Sequence, residues 1–254
     1  MREVWLVAGA GAGPWEWRLW LPVLRAAGLR PRPLALRPAP GGLAATRFED
    51  YVDQLAAAAA ASGAPPLLLG ASMGALVCLA AAPRVRAAAV ACVAGAPPAG
   101  TPGWPPQPRA FPDVVRWSEE ATFEGTRRAM PEAPAWMARW ALGRWRDESG
   151  AVLRAVFGGV ALAPPPCPVL AVHGRADAQV PPACAESWTA RWGADLLLVE
   201  GASHVGLLLG PHARRAAAAT AAWLAARTGD TRPFRPGARR RPPQPPHGTN
   251  NFKI

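Results

Sequence analysis

Short apolar runs alternate with longer amphipathic segments along most of the chain. The short runs are rich in Val and Leu, and Gly, Pro or polar residues bound them, which predicts buried β-strands. Strands are expected near residues 4–8, 33–37, 66–70, 88–94, 168–173 and 195–200. Helical spacing predicts helices near residues 16–27, 48–62, 74–82, 182–192 and 212–226. Strands that alternate with helices favour an α/β fold, with a mostly parallel sheet and helices on both faces.

The turn after the third predicted strand carries the first candidate chemistry. A G-x-S-x-G motif at residues 70–74 is centred on Ser72, and an apolar helix follows it directly. In a sharp strand-to-helix turn, small residues let the two elements approach closely, and the serine hydroxyl projects from the end of the sheet. The start of the following helix favours negative charge that develops beside it. This context predicts that Ser72 is a nucleophile.

Of the four histidines, His204 is best placed to be the general base that such a serine needs. It lies in a loop directly after the last predicted strand, and an open α/β sheet gathers its functional groups in loops of this kind. His173 ends a strand, where a structural hydrogen bond is its expected role. His212 is predicted inside the final helix, and His247 lies in a tail rich in proline and arginine.

Asp177 is the candidate carboxylate that would orient the imidazole. It follows a predicted strand and lies between Ser72 and His204 in chain order. The order Ser, Asp, His is typical of α/β-hydrolases rather than of chymotrypsin-like or subtilisin-like enzymes. The competing acids are less well placed, because Asp195 begins a strand and Glu200 is expected to be a rim or salt-bridging group.

A glycine-rich loop follows the first predicted strand. Its glycines and Pro14 do not fit the G-x-G-x-x-G spacing of a dinucleotide site, and Arg37 stands where an acidic ribose contact would be expected. Acyl transfer instead needs preorganised backbone N–H groups around the oxyanion, each worth about 3–4 kcal/mol. We expect these donors to be the N–H groups of Met73 and Ala10.

These motifs and their order resemble the α/β-hydrolase superfamily over about residues 3–227. VAGAGAGPWEWR at residues 7–18 resembles small bacterial hydrolases related to plant methylesterases and hydroxynitrile lyases. GRADAQVP at 174–181 resembles the acid loop of that family, and GASH at 201–204 resembles its histidine loop. The resemblance implies an α/β-hydrolase fold and an esterase-like serine hydrolase that uses no metal or organic cofactor.

Two departures from the family pattern matter. Ala8 stands where the family usually has a histidine before the oxyanion glycine, so a hydrogen bond that braces this loop is expected to be absent. Val205 follows His204, and the only lysine is Lys253, which argues against the cyanide chemistry of the lyases. A serine at position 72, rather than an aspartate, excludes dehalogenase and epoxide-hydrolase chemistry.

The alternation of strands and helices is interrupted at about residues 101–162. Five of the 12 tryptophans lie there, on short helical segments broken by prolines. These aromatic residues either pack a helical cap on the body or line an apolar pocket under it. We expect at least one or two of Trp136, Trp140 and Phe157 to face the substrate.

Charge and composition set the remaining boundaries. The formal net charge is +11, but from Arg227 onward six arginines and Lys253 against Asp230 contribute +6, and the rest shows no basic stripe typical of nucleic-acid binding. We expect residues 1–100 and 163–227 to form the hydrolase core, and the Pro/Arg-rich residues 228–254 to be disordered.

The cysteine residues and the hydropathy of the chain indicate in which cellular compartment the protein is expected. The four cysteines form no C-x-x-C pair and lie in apolar contexts, which is typical of buried thiols in a reducing cytoplasm. The sequence shows no secretory signal and no apolar run of about 18 residues, so neither export nor membrane insertion is predicted.

Together the residues support a cytoplasmic serine hydrolase that cleaves esters or related acyl bonds of small to medium apolar molecules. The same triad could open lactones, hydrolyse carbon–carbon bonds of diketones or act as a perhydrolase. A small-molecule binding or receptor protein that retains the triad is the alternative from another class.

Overall fold

The central feature of the computed structural model, which describes residues 2–105 and 110–227, is a six-stranded parallel sheet. In chain order the strands are β1 (Glu3–Val7), β2 (Arg30–Leu34), β3 (Leu67–Ala71), β4 (Ala89–Val93), β5 (Val114–Val115), β6 (Glu148–Ser149), β7 (Val169–Gly174) and β8 (Asp195–Val199). The sheet has the order β2-β1-β3-β4-β7-β8, and β5 pairs with β6 in a separate antiparallel ladder. All carboxyl ends of the six strands therefore meet at one edge.

The helices cover both faces of this sheet. They are α1 (Leu21–Ala26), α2 (Phe48–Ala60), α3 (Met73–Ala81), α4 (Trp117–Glu120), α5 (Phe123–Ala129), α6 (Ala135–Leu142), α7 (Gly150–Gly158), α8 (Pro182–Trp192), α9 (Gly206–Leu209) and α10 (Ala213–Ala226). Two short 3-10 helices, Pro14–Trp17 and Leu43–Ala45, complete the helical segments.

Strand β3 illustrates why the apolar runs become central strands. Leu67 and Leu69 join a core cluster on the α1 and α10 side, whereas Leu68 joins the cluster formed with α2, α3 and α8. Alternate side chains of a strand point to opposite faces, so a strand covered on both faces needs a continuous apolar run. These observations confirm the predicted α/β-hydrolase fold and its helix-covered parallel sheet.

Three predicted positions differ from the structure. The second strand lies at Arg30–Leu34 instead of 33–37, because its register on β1 begins with Glu3 opposite Arg30. The first helix is broken into the 3-10 turn and α1, whose first turn contains Pro22, a residue that cannot continue a helix from the preceding turn. His212 precedes α10 as its N-cap residue and is not inside that helix.

The interrupting segment carries α4 to α7 and the short β5–β6 ladder, which the sequence did not predict. Its helices share the core of the body: Met130, Met137 and Ala141 belong to the cluster on the α1 and α10 face, and Val152 and Val156 to the other. The predicted disordered tail lies outside the described residues. Among the helices that are described, none is long and apolar enough to cross a membrane.

Candidate active site

Ser72 sits on a sharp turn between β3 and α3. Its backbone is in the positive-φ region (φ 49°, ψ −118°), which a residue with a side chain rarely adopts. A Cβ at Gly70 would collide with the backbone of Gly74, and a Cβ at Gly74 would collide with the carbonyl of Val7. The two glycines of the motif therefore permit the close approach that holds the serine in its strained position.

A hydrogen-bonded series connects three of the predicted residues. His204 Nε2 lies 3.1 Å from Ser72 Oγ, and His204 Nδ1 lies 2.7 Å from Asp177 Oδ2. The other carboxylate oxygen of Asp177 accepts hydrogen bonds from the backbone N–H groups of Gln179 and Val180, both at 2.9 Å. The structure thus brings Ser72, His204 and Asp177 together from three separate loops at the carboxyl edge of the sheet.

The electrostatics of this series favour an ionised carboxylate beside the imidazole. Burial would raise the pKa of Asp177, but the charge of His204 and hydrogen bonds from His173 and His204 outweigh it, so the pKa lies well below the usual 3.8. Burial would lower the pKa of His204, yet the charge and hydrogen bond of Asp177 raise it above the usual 6.5, with a further contribution from Glu16. This arrangement stabilises a protonated imidazole.

The second buried histidine has its shortest hydrogen bond to a backbone carbonyl and also approaches Asp177. His173, at 1% exposure, donates from Nε2 to the carbonyl of Val180 at 2.8 Å, and the same nitrogen lies 3.3 Å from Asp177 Oδ2. This is a structural hydrogen bond of the kind that the sequence predicted for His173. It helps to fix the loop that presents Asp177.

The loop after β1 is held on both sides of Ala10 by buried carboxylates. The Gly9 N–H donates to Glu16 Oε2 at 2.9 Å, and the Gly11 N–H donates to Glu148 Oε2 at 3.1 Å. No described residue accepts a hydrogen bond from the Ala10 N–H. Met73 begins α3, so its N–H has no intrahelical acceptor. The two predicted oxyanion donors, Ala10 and Met73, therefore have N–H groups available for a ligand.

Glu16 and Glu148 were missed by the sequence analysis. The missing histidine at Ala8 predicted an unbraced loop, but Glu16 supplies a brace from the 3-10 helix that follows. Glu148 is fully buried and also accepts a hydrogen bond from the Tyr51 hydroxyl at 2.6 Å. An acidic residue between two tryptophans, as in Trp15-Glu16-Trp17, was an available signal, because a buried carboxylate needs a specific partner.

The histidine loop is held by residues from the inserted segment. The Ser203 N–H donates to Glu132 Oε1 at 2.7 Å, and Ser203 Oγ lies 2.7 Å from Glu132 Oε2. On the other side of His204, the Val205 N–H donates to the carbonyl of Ala129 at 2.9 Å. The end of α5 and the loop that follows it thus fix both neighbours of His204.

Of the three residues predicted to face substrate, one is exposed and two pack against other side chains. Trp136 is 58% exposed at the surface. Trp140 lies edge-on to Trp15 with ring centroids 5.6 Å apart, and the guanidinium groups of two arginines lie over its ring. Phe157 packs with two other aromatic rings at centroid distances of 5.2 and 5.0 Å. For Trp140 and Phe157 these contacts favour the packing interpretation, and a role in substrate binding stays a prediction.

Two further groups of side chains bear on the chemistry. Across the residues that the structure describes, His, Cys, Asp and Glu side chains form no group of three or more that could hold a metal ion. Cys78, Cys92, Cys167 and Cys184 are all free thiols, and burial raises the pKa of Cys167 to about 12. A thiol with such a pKa is a poor nucleophile at neutral pH.

The fold agrees with comparisons to known proteins. The sequence profile of the alpha/beta hydrolase family matches residues 6–223, and the chain belongs to this family. A comparison with curated protein sequences gives no significant match.

Several solved structures share the fold. A methylesterase from Arabidopsis is 16% identical, with 90% of this chain and 99% of that chain covered and a TM-score of 0.66. A pyrethroid hydrolase from Sphingobium faniae is 20% identical, with coverage of 87% and 97% and a TM-score of 0.65. A monoacylglycerol lipase from Paleococcus ferrophilus is 18% identical, with coverage of 89% and 94% and a TM-score of 0.67. At these identities the similarity establishes the fold.

Proposed function

We propose that this protein is a serine hydrolase that cleaves carboxylic esters or related acyl bonds through an acyl-enzyme. The observation that carries the proposal is the series Asp177–His204–Ser72, with distances of 2.7 and 3.1 Å, ending on a serine at a strained strand-to-helix turn. A nucleophile, a base within hydrogen-bond reach and a carboxylate that orients the base are the parts that acyl transfer requires.

The proposed reaction begins with attack of Ser72 Oγ on the carbonyl carbon. His204 Nε2 takes the hydroxyl proton, and Asp177 stabilises the imidazolium while holding its Nδ1–H. The negative charge that develops on the carbonyl oxygen is stabilised by the N–H groups of Met73 and Ala10. His204 then returns the proton to the leaving alkoxide, and the alcohol departs from the acyl-enzyme.

Deacylation repeats the same steps with water. His204 removes a proton from water, the resulting hydroxide attacks the acyl carbon, and the second tetrahedral intermediate uses the same two N–H groups. Collapse of that intermediate releases the carboxylic acid and returns the proton to Ser72. The cycle consumes one ester and one water and needs no other reactant.

Apolar esters of small to medium size are the proposed substrates. The structural neighbours are named as a methylesterase, a pyrethroid hydrolase and a monoacylglycerol lipase, which makes neutral esters the first compounds to test. The free thiols support a cytoplasmic location. The same residues would also support lactone opening, diketone hydrolysis and peracid formation.

Covalent labelling with a fluorophosphonate tests the central assignment. The full-length protein should be labelled at one site, and Ser72→Ala should abolish labelling and hydrolysis of p-nitrophenyl esters while leaving the circular dichroism spectrum and melting temperature close to wild type. Ser62→Ala is the matched control. Ser62 precedes the amino end of β3, whereas Ser72 follows its carboxyl end, and the Ser62 hydroxyl donates a hydrogen bond to Glu3. Labelling that persists in Ser72→Ala would refute the proposal.

The same experiment separates the binding-protein alternative. A receptor that retains the triad would be labelled at Ser72 but would hydrolyse p-nitrophenyl esters slowly or not at all. Steady hydrolysis across a chain-length series of p-nitrophenyl esters supports the enzyme.

A further inference from the structure

Glu16 is a buried carboxyl group beside the site that the proposed mechanism leaves unused. It is 3% exposed and lies on the 3-10 helix directly after the oxyanion loop. One oxygen, Oε2, accepts the hydrogen bond from the Gly9 N–H. The other oxygen, Oε1, has no hydrogen-bond partner among the described residues and is not fully enclosed. Burying a carboxyl group with one oxygen unpartnered costs stability, so its presence in the folded protein calls for a specific explanation.

Gly9 adjoins both this carboxyl group and the nucleophile. A methyl group built on Gly9 would lie 3.2 Å from Ser72 Cβ and 3.7 Å from each carboxyl oxygen of Glu16. The Glu16 carboxyl and Ser72 Cβ therefore both lie close to the α-carbon of Gly9. Its hydrogen bond also fixes the peptide group next to Ala10, whose N–H is the proposed oxyanion donor.

Glu16 and His204 adjoin the same serine: His204 Nε2 lies 3.1 Å from Ser72 Oγ, and Ser72 Cβ adjoins Gly9, whose N–H donates to Glu16. Burial raises the pKa of Glu16 to about 7, against the opposing effects of the Gly9 hydrogen bond and the charge of His204. In return, the charge of Glu16 raises the pKa of His204, after the larger effects of burial and Asp177. Among the described residues, His204 is the charged group that acts on Glu16, and Asp177 and Glu16 are those that act on His204.

We propose that Glu16 is a positioning residue that fixes the oxyanion loop through Gly9 and serves, with Asp177, as a second carboxylate acting on His204. The inference rests on the proposed function. The two effects are physically separable, because the hydrogen bond to Gly9 needs only an acceptor, whereas the effect on His204 needs a negative charge. Glutamine retains the first and removes the second, and alanine removes both.

The rate of fluorophosphonate labelling as a function of pH is the readout, since it reports Ser72 and His204 without a known substrate. It is measured from about pH 5 to pH 9 on full-length wild type, Glu16→Gln and Glu16→Ala. Glu49→Gln is the control, because Glu49 is exposed on α2 and its replacement removes the same charge at a remote position.

In Glu16→Gln, loss of the negative charge should lower the apparent pKa of the acidic limb by about half a unit or more, with the plateau rate close to wild type. In Glu16→Ala, the loosened oxyanion loop should also lower the plateau rate by about tenfold or more. Glu49→Gln should follow the wild-type profile. Thermal melts of each variant establish that the folded protein is being compared.

An acidic limb in Glu16→Gln that coincides with that of Glu49→Gln overturns the electrostatic role. A plateau in Glu16→Ala equal to wild type overturns the loop role. If Glu16→Ala does not fold, the inference is judged on the pH profile of Glu16→Gln alone. Labelling that requires Ser72 but ignores Glu16 refutes this inference alone, whereas labelling independent of Ser72 refutes the proposed function.

Discussion

Replacing Glu16 by glutamine should change how the stability of the protein depends on pH. The substitution keeps the size of the side chain and an acceptor for the Gly9 N–H, but the amide cannot ionise. Glu16 is 3% exposed, so its charge is poorly screened by water. The wild-type protein must therefore ionise a buried group as the pH rises, and the variant does not.

The size of the effect follows from the pKa of Glu16, which rises from 4.5 to about 7 in the folded protein. The folded state holds its proton more tightly than the unfolded state, so the wild type loses stability as the pH rises from about 4.5 through about 7. At about 1.4 kcal/mol per pH unit, the loss approaches about 3 kcal/mol. Below about pH 4.5 the side chain is protonated in both states and contributes no difference.

Urea unfolding of both proteins at a series of pH values measures the effect. The unfolding free energy of Glu16→Gln minus that of wild type should increase by about 3 kcal/mol between about pH 4 and pH 8. A constant offset from packing of the amide does not affect the prediction, which concerns the change with pH. Groups common to both proteins, such as Asp177, largely cancel in the difference. A difference that stays flat over this range would refute the assignment of a raised pKa to Glu16.

Three further outcomes follow from the site and the cap. Asp177→Asn should lower ester turnover by about 10⁴-fold, because the amide favours the wrong imidazole tautomer, and near-wild-type turnover would show that the orienting acid lies elsewhere. Trp140→Ala should lower the unfolding free energy by about 2–4 kcal/mol, because the Trp140 ring packs on Trp15 and two arginines. The ester chain-length profile should stay unchanged, and a shifted profile at unchanged melting temperature would contradict this prediction. Gly206→Ala should reduce the labelling rate with little change in melting temperature, since a Cβ on residue 206 would displace the Glu132 carboxylate from the histidine loop. An unchanged labelling rate would show that the contact between Glu132 and Ser203 does not position His204.

Local sequence was sufficient for the parts of this protein that form within one segment. The strand, turn and helix around Ser72 are consecutive, and the two glycines that permit the turn are part of the same motif. His204 and Asp177 could be selected because a parallel sheet brings the carboxyl ends of its strands to one edge. The alternation of short apolar runs with amphipathic segments predicted that sheet, because buried strands and surface helices differ in period.

Tertiary structure decided the features that depend on contacts between distant segments. The second strand begins three residues earlier in the chain than predicted. Its bounds follow from its register on β1, and that register depends on pairing between two segments that are distant in sequence. Glu148 reaches Gly11 across 137 positions, and Glu132 reaches Ser203 across 71. Even the short link between Glu16 and Gly9 depends on folding, because a carboxyl group next to a loop is buried only when tryptophans and strands close around it. The sequence thus determined which residues are candidates for catalysis, and tertiary packing determined which carboxylates fix the loops that carry those residues.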